Sequence, residues 1–116
     1  MQGLKPPASC SEVLRYIFKL SSLEYEVLKQ LVRAEARGMT VEELANVLGK
    51  HQATVHRALS QLMAKGLCKR KTEYLPKGGY YYRYYVLPPG QLKAMIVMCI
   101  EKWYNAAKEQ VNKFEI

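Results

Sequence analysis

The stretch TVEELANVLGKHQATVHRALSQLMAKGL, residues 40–67, decides the fold of this chain. Thr40 and Glu43 have the spacing of a capping box, which predicts a short helix that ends at Gly49. After a tight turn, a second helix is predicted over residues 52–65. The apolar residues expected to face inward are Leu44, Ala45 and Leu48 on the first helix and Val55, Leu59 and Leu62 on the second. Two short helices joined by a glycine turn are typical of a helix-turn-helix.

Upstream of this stretch the sequence predicts two more helices. Capping-box spacings begin at Ser9 and again at Ser21, and each is followed by apolar residues three and four positions apart. We therefore expect a first helix from Cys10 to Leu20 and a second that ends near Gly38, because glycine commonly follows the last turn of a helix.

Downstream of the stretch the composition changes to aromatic and β-compatible residues. Two such runs, Leu67 to Tyr74 and Tyr80 to Leu87, flank a turn that contains Pro76, Gly78 and Gly79. This pattern predicts a β-hairpin, the wing of a winged helix, over about residues 67–87. The fold class is therefore mainly α with a small β-hairpin wing, and the winged-helix core is predicted at residues 10–87.

The C-terminal segment, residues 89–115, is predicted to form a long helix that begins after Pro88. At 1.5 Å per residue, about 25 helical residues span about 38 Å, which is more than so small a core can cover. Its apolar stripe is expected to form a homodimer interface. The residues of this stripe are Leu92, Ile96, Cys99, Trp103, Ala107, Val111 and Phe114. We expect all 116 residues to form a single domain, a winged helix-turn-helix with a C-terminal dimerisation helix.

Positive charge is concentrated in one third of the chain. The formal net charge is +8, and the segment from Lys50 to Arg83 has eight Lys or Arg residues and one Glu. Such a segment indicates a polyanionic partner, either nucleic acid or an anionic membrane surface. The longest apolar run, Ala94 to Ile100, is too short to span a bilayer, and residues 1–7 do not resemble a secretion signal. We therefore expect a cytoplasmic, nucleoid-associated protein that does not bind membranes.

The second helix of the helix-turn-helix carries the side chains that we expect to contact double-stranded DNA. Its polar side is predicted to enter the major groove, where Gln and Arg can form paired hydrogen bonds with base edges. The residues expected there are Gln52, Ala53, Thr54, His56, Arg57 and Gln61. Lys50 and His51 lie at the helix start, where they are expected to contact phosphate, although His51 could instead cap the helix. Those expected to extend this basic surface are Lys65, Lys69, Arg70, Lys71, Lys77 and Arg83, and Gly78 is expected to let the wing tip approach DNA closely. The hypothesis requires that these cations and the polar side of the helix share one outward surface.

Six of the nine tyrosines lie between Tyr74 and Tyr85. Their rings could stack on unpaired bases. Alternation along a strand, however, points successive side chains to opposite faces, and tyrosine suits half-buried strands. Packing within the wing is therefore the favoured interpretation.

Catalysis and metal binding are poorly supported. The chain contains no Asp, no glycine-rich phosphate loop and no nucleophile motif, so we expect neither an enzyme nor a cofactor. His51 and His56 are five positions apart on one helix and diverge, which argues against a metal site.

Three separated cysteines predict no disulfide framework. Cys10, at a helix start, could sense thiols or redox state, but burial is favoured. A small-molecule or redox effector stays open.

Several local motifs resemble known winged-helix regulators. One group of segments is similar to the corresponding segments of MarR and TrmB-like regulators, namely residues 40–45, 48–49, 53–59 and 62–67. The whole-chain arrangement looks like that of small archaeal single-domain regulators related to TrmB and to Lrp-like repressors. The segments that carry this second resemblance are Cys10-Ser-Glu-Val, Tyr16-Ile-Phe, Gly78-Gly-Tyr and Trp103-Tyr.

The resemblance implies a dimer held by terminal helices. It also implies base-reading positions at Gln52, Thr54, His56 and Arg57, and a wing tip at residues 77–79. Large TrmB proteins join such a domain to a sugar-binding one, and this sequence contains no corresponding segment, so the resemblance does not imply an effector.

The leading hypothesis is a dimeric repressor that binds a two-fold operator. One alternative is a chromatin protein that binds DNA with little sequence selectivity. Another is a protein-interaction module of the transcription machinery, whose basic surface only keeps it near DNA.

Overall fold

The computed structural model describes residues 3–115, and the chain divides between Val86 and Leu87 into two compact units. The first unit contains α1 Cys10–Ile17, α2 Ser22–Ala34, a single 3-10 turn at Glu35–Arg37, α3 Val41–Leu48, α4 Gln52–Ala64, β1 Lys69–Tyr74 and β2 Tyr80–Tyr85. The second unit contains α5 Pro89–Asn112. The order of elements in the first unit is that of a winged helix, which confirms the predicted fold class.

Side-chain caps start the first three helices at the predicted residues. Ser9, Ser21 and Thr40 each accept a hydrogen bond from the backbone N–H three residues later. Only the box at Thr40 is complete, because Glu43 Oε1 also accepts from the Thr40 N–H at 2.9 Å. The start of α3, and with it the helix-turn-helix, is therefore fixed by local sequence.

The first two helices end earlier than the predicted ends at Leu20 and near Gly38. Helix α1 stops at Ile17, and α2 stops at Ala34. In each case a residue just beyond the end has a positive φ, 55° at Lys19 and 54° at Glu35, which a right-handed helix cannot include. Leu20 is nevertheless buried. The apolar spacing predicted a helix beyond Ile17 because Leu20, which follows the helix end, also packs in the core.

The core of the first unit is aliphatic and braces the helix-turn-helix. Of the residues predicted to face inward on α3 and α4, Leu48 alone is half-buried and the others are buried. The fully buried residues include Val27 and Leu31 of α2, Leu44 of α3, and Val55, Leu59 and Leu62 of α4. Burial of this stripe fixes which side of α4 is left outside.

The wing is an antiparallel hairpin in which Lys69 pairs with Tyr85 and Tyr74 pairs with Tyr80. Its base is held by Met39, which exchanges two backbone hydrogen bonds with Tyr84, at 2.9 and 2.8 Å. Tyr84 itself is fully buried. The hairpin is therefore attached to the loop that precedes α3, a contact that the sequence pattern did not predict.

Helix α5 has 24 residues and begins with Pro89 at its first position. It ends at Asn112, before the predicted end at residue 115, so Phe114 of the predicted stripe lies beyond the helix. The stripe is also divided in its burial: Leu92 and Ile96 are buried, Cys99 and Ala107 are half-buried, and Trp103, Val111 and Phe114 are exposed. Among residues 3–115, no helix combines the length and the apolar character needed to cross a membrane.

Candidate nucleic-acid interface

Helix α4 exposes the polar side that the sequence predicts. Gln52, Ala53, His56, Arg57 and Gln61 are exposed, and Thr54 is half-buried. The opposite side of the helix is buried in the core. A helix held along one side in this way presents its other side as a rigid, water-exposed row of donors and acceptors.

Arg57 is the cation of this row. Its Nη2 donates a long hydrogen bond of 3.4 Å to Thr54 Oγ1, one turn earlier. Within the described part of the chain, no carboxylate forms a salt bridge with Arg57. The guanidinium therefore keeps most of its donors, and its full charge, for an external acceptor.

The start of α4 lies in solvent. Lys50 and His51 are both exposed. His51 occupies the N-cap position, but its side chain makes no capping hydrogen bond, so the alternative that His51 caps the helix is wrong. The first amides of α4 thus have no side-chain acceptor, which is the arrangement that suits a phosphate oxygen.

A groove of about 500 Å³ connects α4 to the wing. It is lined by Thr40, Val41, Glu42, Glu43, Gln52, His56, Tyr81, Tyr82, Arg83 and Tyr84. The groove brings Gln52 and His56 of α4 next to β2, as the sequence hypothesis requires. It also contains two carboxylates, Glu42 and Glu43, which were not predicted at the interface.

Arg83 lies in this groove and is engaged inside the protein. Its Nη1 is 3.2 Å from Glu43 Oε1 and donates to the carbonyl oxygens of Arg37 and Gly38, at 3.4 and 3.5 Å. Burial lowers the pKa of Arg83, but the Tyr81 hydroxyl and the Glu43 carboxylate outweigh it and the pKa is raised. The Glu43 pKa is lowered, chiefly by the backbone hydrogen bond from Thr40. Arg83 therefore connects the wing to α3, and a phosphate would have to compete with this ion pair.

Lys65, expected on the basic surface, is also paired internally. Its Nζ lies 2.9 Å from Glu24 Oε1 and donates to the Lys19 carbonyl at 3.1 Å. Burial raises the pKa of Glu24, but hydrogen bonds from Lys65 and Ser21 outweigh it, and the pKa is lowered overall. The expectation that Lys65 belongs to the free basic surface is therefore wrong. Its charge is used to hold α2 to the end of α4.

The remaining wing cations do not share one face. In the register of the hairpin, Lys69 and Lys71 lie on the face of Arg83, whereas Arg70 lies opposite. The expectation of one outward surface is therefore only partly met. Lys77 and Gly78 are exposed in the turn, where Gly78 and Gly79 have φ of 97° and 87°. These φ values favour glycine. Because glycine has no side chain, the backbone of the turn is accessible to a ligand.

The tyrosines divide along the length of the hairpin. Tyr84 is buried, and Tyr82 and Tyr85 are half-buried. Near the turn, Tyr74 is 80% exposed and Tyr80 is 59% exposed. Packing therefore explains the tyrosines at the base of the wing but not those near its turn.

The three cysteines also differ. Cys10 is exposed, so the expectation that it is buried is wrong. Cys68 is buried, and burial raises the pKa of its thiol to about 12. Cys99 is half-buried on α5.

The family model described as sugar-specific transcriptional regulator TrmB matches residues 14–90, which include the whole helix-turn-helix and the wing. The chain belongs to the TrmB family. A protein of Methanocaldococcus jannaschii, itself uncharacterized, is 36% identical to this TrmB-family chain over 75 residues. That match covers 65% of this chain and 57% of the relative, so less than two thirds of the relative's length is represented here.

Solved structures show the same fold at low sequence identity. A possible transcriptional regulator from Methanosarcina mazei superposes with a TM-score of 0.77 at 22% identity, covering 91% of this chain and 88% of that one. A protein from Sulfolobus tokodaii superposes with a TM-score of 0.64 at 24% identity, covering 84% of this chain and 93% of that one. MepR of S. aureus, solved in complex with DNA, gives 0.59 at 17% identity, covering 88% and 81%. These likenesses show that the TrmB-family chain has the winged-helix fold.

Proposed function

We propose that this TrmB-family chain is a dimeric repressor that binds duplex DNA at a two-fold operator. The observation that carries the proposal is the exposed polar side of α4, on which Arg57 has no carboxylate partner in the described chain. An unpaired guanidinium on a helix braced from behind suits readout of a guanine edge in the major groove. The fold likeness to MepR, which was solved in complex with DNA, supports the same conclusion.

Within α4, we assign direct base contacts to Gln52, His56 and Arg57, because they are exposed on one side of the helix. Thr54 positions Arg57 through its hydroxyl. Ala53 would contact a thymine methyl, and Gln61, about two and a half turns into the helix, would contact the groove edge. Lys50, His51 and the first amides of α4 would bind a phosphate and so set the register of the protein on DNA.

The wing supplies backbone contacts. Lys69, Lys71 and Lys77 are exposed and have no salt-bridge partner among the described residues. Gly78 allows the turn to approach DNA closely. Arg83 contributes less than these lysines, because a phosphate must first replace Glu43.

Dimerisation is assigned to the exposed part of the stripe on α5. Trp103 and Val111 of α5 are 56% and 71% exposed, and Phe114, two residues beyond the end of the helix, is 69% exposed, which is unusual for large apolar side chains. Half-buried Cys99 and Ala107 lie on the same stripe. Leu92 and Ile96, which were predicted in the interface, are already buried in the single chain and contribute little new area.

The test is a binding series with duplexes selected from a random pool, over a range of salt concentrations. Two half-sites about 34 Å apart, one helical turn, are expected in the selected sequences. The logarithm of the binding constant should fall linearly with that of salt, because each neutralised phosphate releases counterions. A flat salt response would contradict phosphate contacts. Equal affinity for selected and random duplexes would indicate a chromatin protein without an operator.

A further inference from the structure

The pairing register of the wing collects tyrosines that the sequence pattern separates. Along each strand, successive side chains point to opposite faces. Across the hairpin, however, Tyr74 pairs with Tyr80 and Thr72 pairs with Tyr82. Paired residues share a face, so two strands contribute rings to the same side. We call Arg70, Thr72, Tyr74, Tyr80 and Tyr82 the aromatic face of the wing.

Most of this face lies in solvent. Tyr74 and Tyr80, nearest the turn, are the most exposed rings of the hairpin. The Tyr80 and Tyr82 ring centroids are 5.5 Å apart, with the ring planes at 65°. An edge-to-face pair of this kind holds one ring against its neighbour and leaves a flat π surface available. Core packing accounts for Tyr84, farther down the same side, but not for Tyr74 and Tyr80.

The face is also positively charged. The Arg70 guanidinium lies 3.8 Å from the centroid of Tyr82, which holds this exposed cation close to the rings. None of the five residues of the aromatic face is acidic, and Glu73 of the same strand points to the other face, paired with Tyr81. Flat rings beside a fixed guanidinium suit a polyanion that also presents flat rings, which means nucleic acid with unpaired bases.

We propose that the aromatic face binds single-stranded DNA. Unpaired bases would stack on Tyr74 and Tyr80, and Arg70 would contact a phosphate. The choice of DNA rests on the proposed function, because the duplex bound by α4 would be the nucleic acid nearest to the wing. The exposed rings can stack on unpaired bases. Duplex binding does not use this interaction, because bases within a helix are already stacked on one another.

The test compares two fluorescently labelled strands of about 12 nucleotides, oligothymidine and its abasic counterpart, which carry the same charge. By fluorescence anisotropy, the full-length protein should bind oligothymidine at least about tenfold more tightly, because stacking contributes to only one of the two strands. The double variant Tyr74→Leu/Tyr80→Leu should abolish this difference. Tyr74→Phe/Tyr80→Phe, which keeps the rings, should preserve it.

Three controls make the outcome decisive. Tyr81→Leu, on the opposite face of the same strand, should leave the difference between the strands unchanged. Thermal melting of each variant by circular dichroism shows whether the variant is still folded. If the Leu variant unfolds, the comparison of the two strands on the wild-type protein still decides the test. Arg57→Ala should weaken duplex binding only, so failure of the duplex site is seen separately.

Equal affinity of the wild-type protein for both strands would overturn the proposal. So would an equal loss of single-strand and duplex affinity in the Leu variant, which would assign the face to the duplex site. Tighter binding of oligouridine than of oligothymidine would point to RNA and contradict the commitment to DNA. A change of oligomeric state in the Leu variant, with unchanged strand affinity, would show that a second copy of the chain covers the face.

Discussion

At the scale of single residues, the structure distinguishes cations that are free from cations that are already paired. Among residues 3–115, Arg57 is exposed and its side chain is hydrogen-bonded only to Thr54, whereas Lys65 and Arg83 each contact a carboxylate. The sequence presents all three as members of one basic segment. A charge therefore becomes informative about DNA binding only after its internal partners are known.

Charge reversal at Arg57 should reduce affinity for duplex DNA by at least tenfold, because it removes a base contact and adds repulsion from phosphate. Arg33→Glu is the matched control, since Arg33 is exposed on α2, outside the proposed interface. Electrophoretic mobility shift with a selected duplex provides the measurement. Equal losses in the two variants would show that only overall charge matters.

The Glu24 to Lys65 ion pair predicts a pH dependence of stability. The pKa of Glu24 is lowered from its ordinary value of 4.5, so the pair stabilises the fold above that pH, and the contribution is lost as pH falls through the lowered pKa. Because the Glu24 side chain is only 13% exposed, Glu24→Gln should cost about 1 kcal/mol at neutral pH.

Thermal denaturation at about pH 7 and about pH 2.5 tests this prediction. The melting temperatures of Glu24→Gln and the unmodified protein should differ by a few degrees at the higher pH and converge at the lower one. Glu26→Gln breaks a more exposed pair with Lys29 on the same helix and should change little at either pH. A constant difference at both pH values would show that ionisation of Glu24 is not the cause.

At the scale of elements, the attachment of the wing depends on close approach at Gly38. This residue has φ 64° and ψ −175°, a region that is essentially restricted to glycine. A Cβ there would lie 2.6 Å from the Tyr84 carbonyl oxygen and 2.6 Å from the Tyr85 ring. The loop before α3 can therefore pair with β2 only if residue 38 has no side chain.

Replacing Gly38 with Ala should destabilise the protein by about 2–4 kcal/mol, from backbone strain together with the clash. Gly49→Ala is a control for positive φ alone, because Gly49 has φ 64° and ψ 38°, in the left-handed region, and a Cβ there would meet nothing within 4 Å. Its cost should be only about 1 kcal/mol. Urea denaturation followed by circular dichroism measures both. Similar losses would show that neither the ψ of residue 38 nor its contact with β2 adds to the cost of a positive φ.

At the scale of the whole molecule, the exposed stripe on α5 predicts the oligomeric state. A carboxylate at Trp103 would have to be buried without a partner in the proposed interface, so Trp103→Glu should convert a dimer to a monomer. Affinity for a two-site duplex should then fall at least about tenfold, while affinity for a single half-site stays the same.

Sedimentation equilibrium at several protein concentrations checks the first part, and anisotropy with one-site and two-site duplexes checks the second. Lys102→Glu places the same carboxylate one residue away, at an exposed position off the stripe, and should remain dimeric. A monomeric unmodified protein would refute the dimer, and with it the two-fold operator.

Local sequence predicted the parts of the fold that local interactions determine. The Thr40 and Glu43 capping box, the glycine at residue 49 and Pro89 at the start of α5 place element boundaries through hydrogen bonds and dihedral limits within a few residues. The apolar spacing on α4 also identified its buried side, and therefore its exposed one. Where a core residue lay beyond a helix end, as at Leu20, the same spacing misplaced the boundary.

Only the tertiary structure decided which polar residues are available to a ligand. Lys65 is paired with Glu24, 41 residues away, and Arg83 with Glu43, 40 residues away. The grouping of Tyr74 with Tyr80 and Tyr82 likewise depends on the hairpin register. These pairings depend on which distant segments come into contact when the core forms. The spacing of residues along one segment contains no information about contacts with another segment.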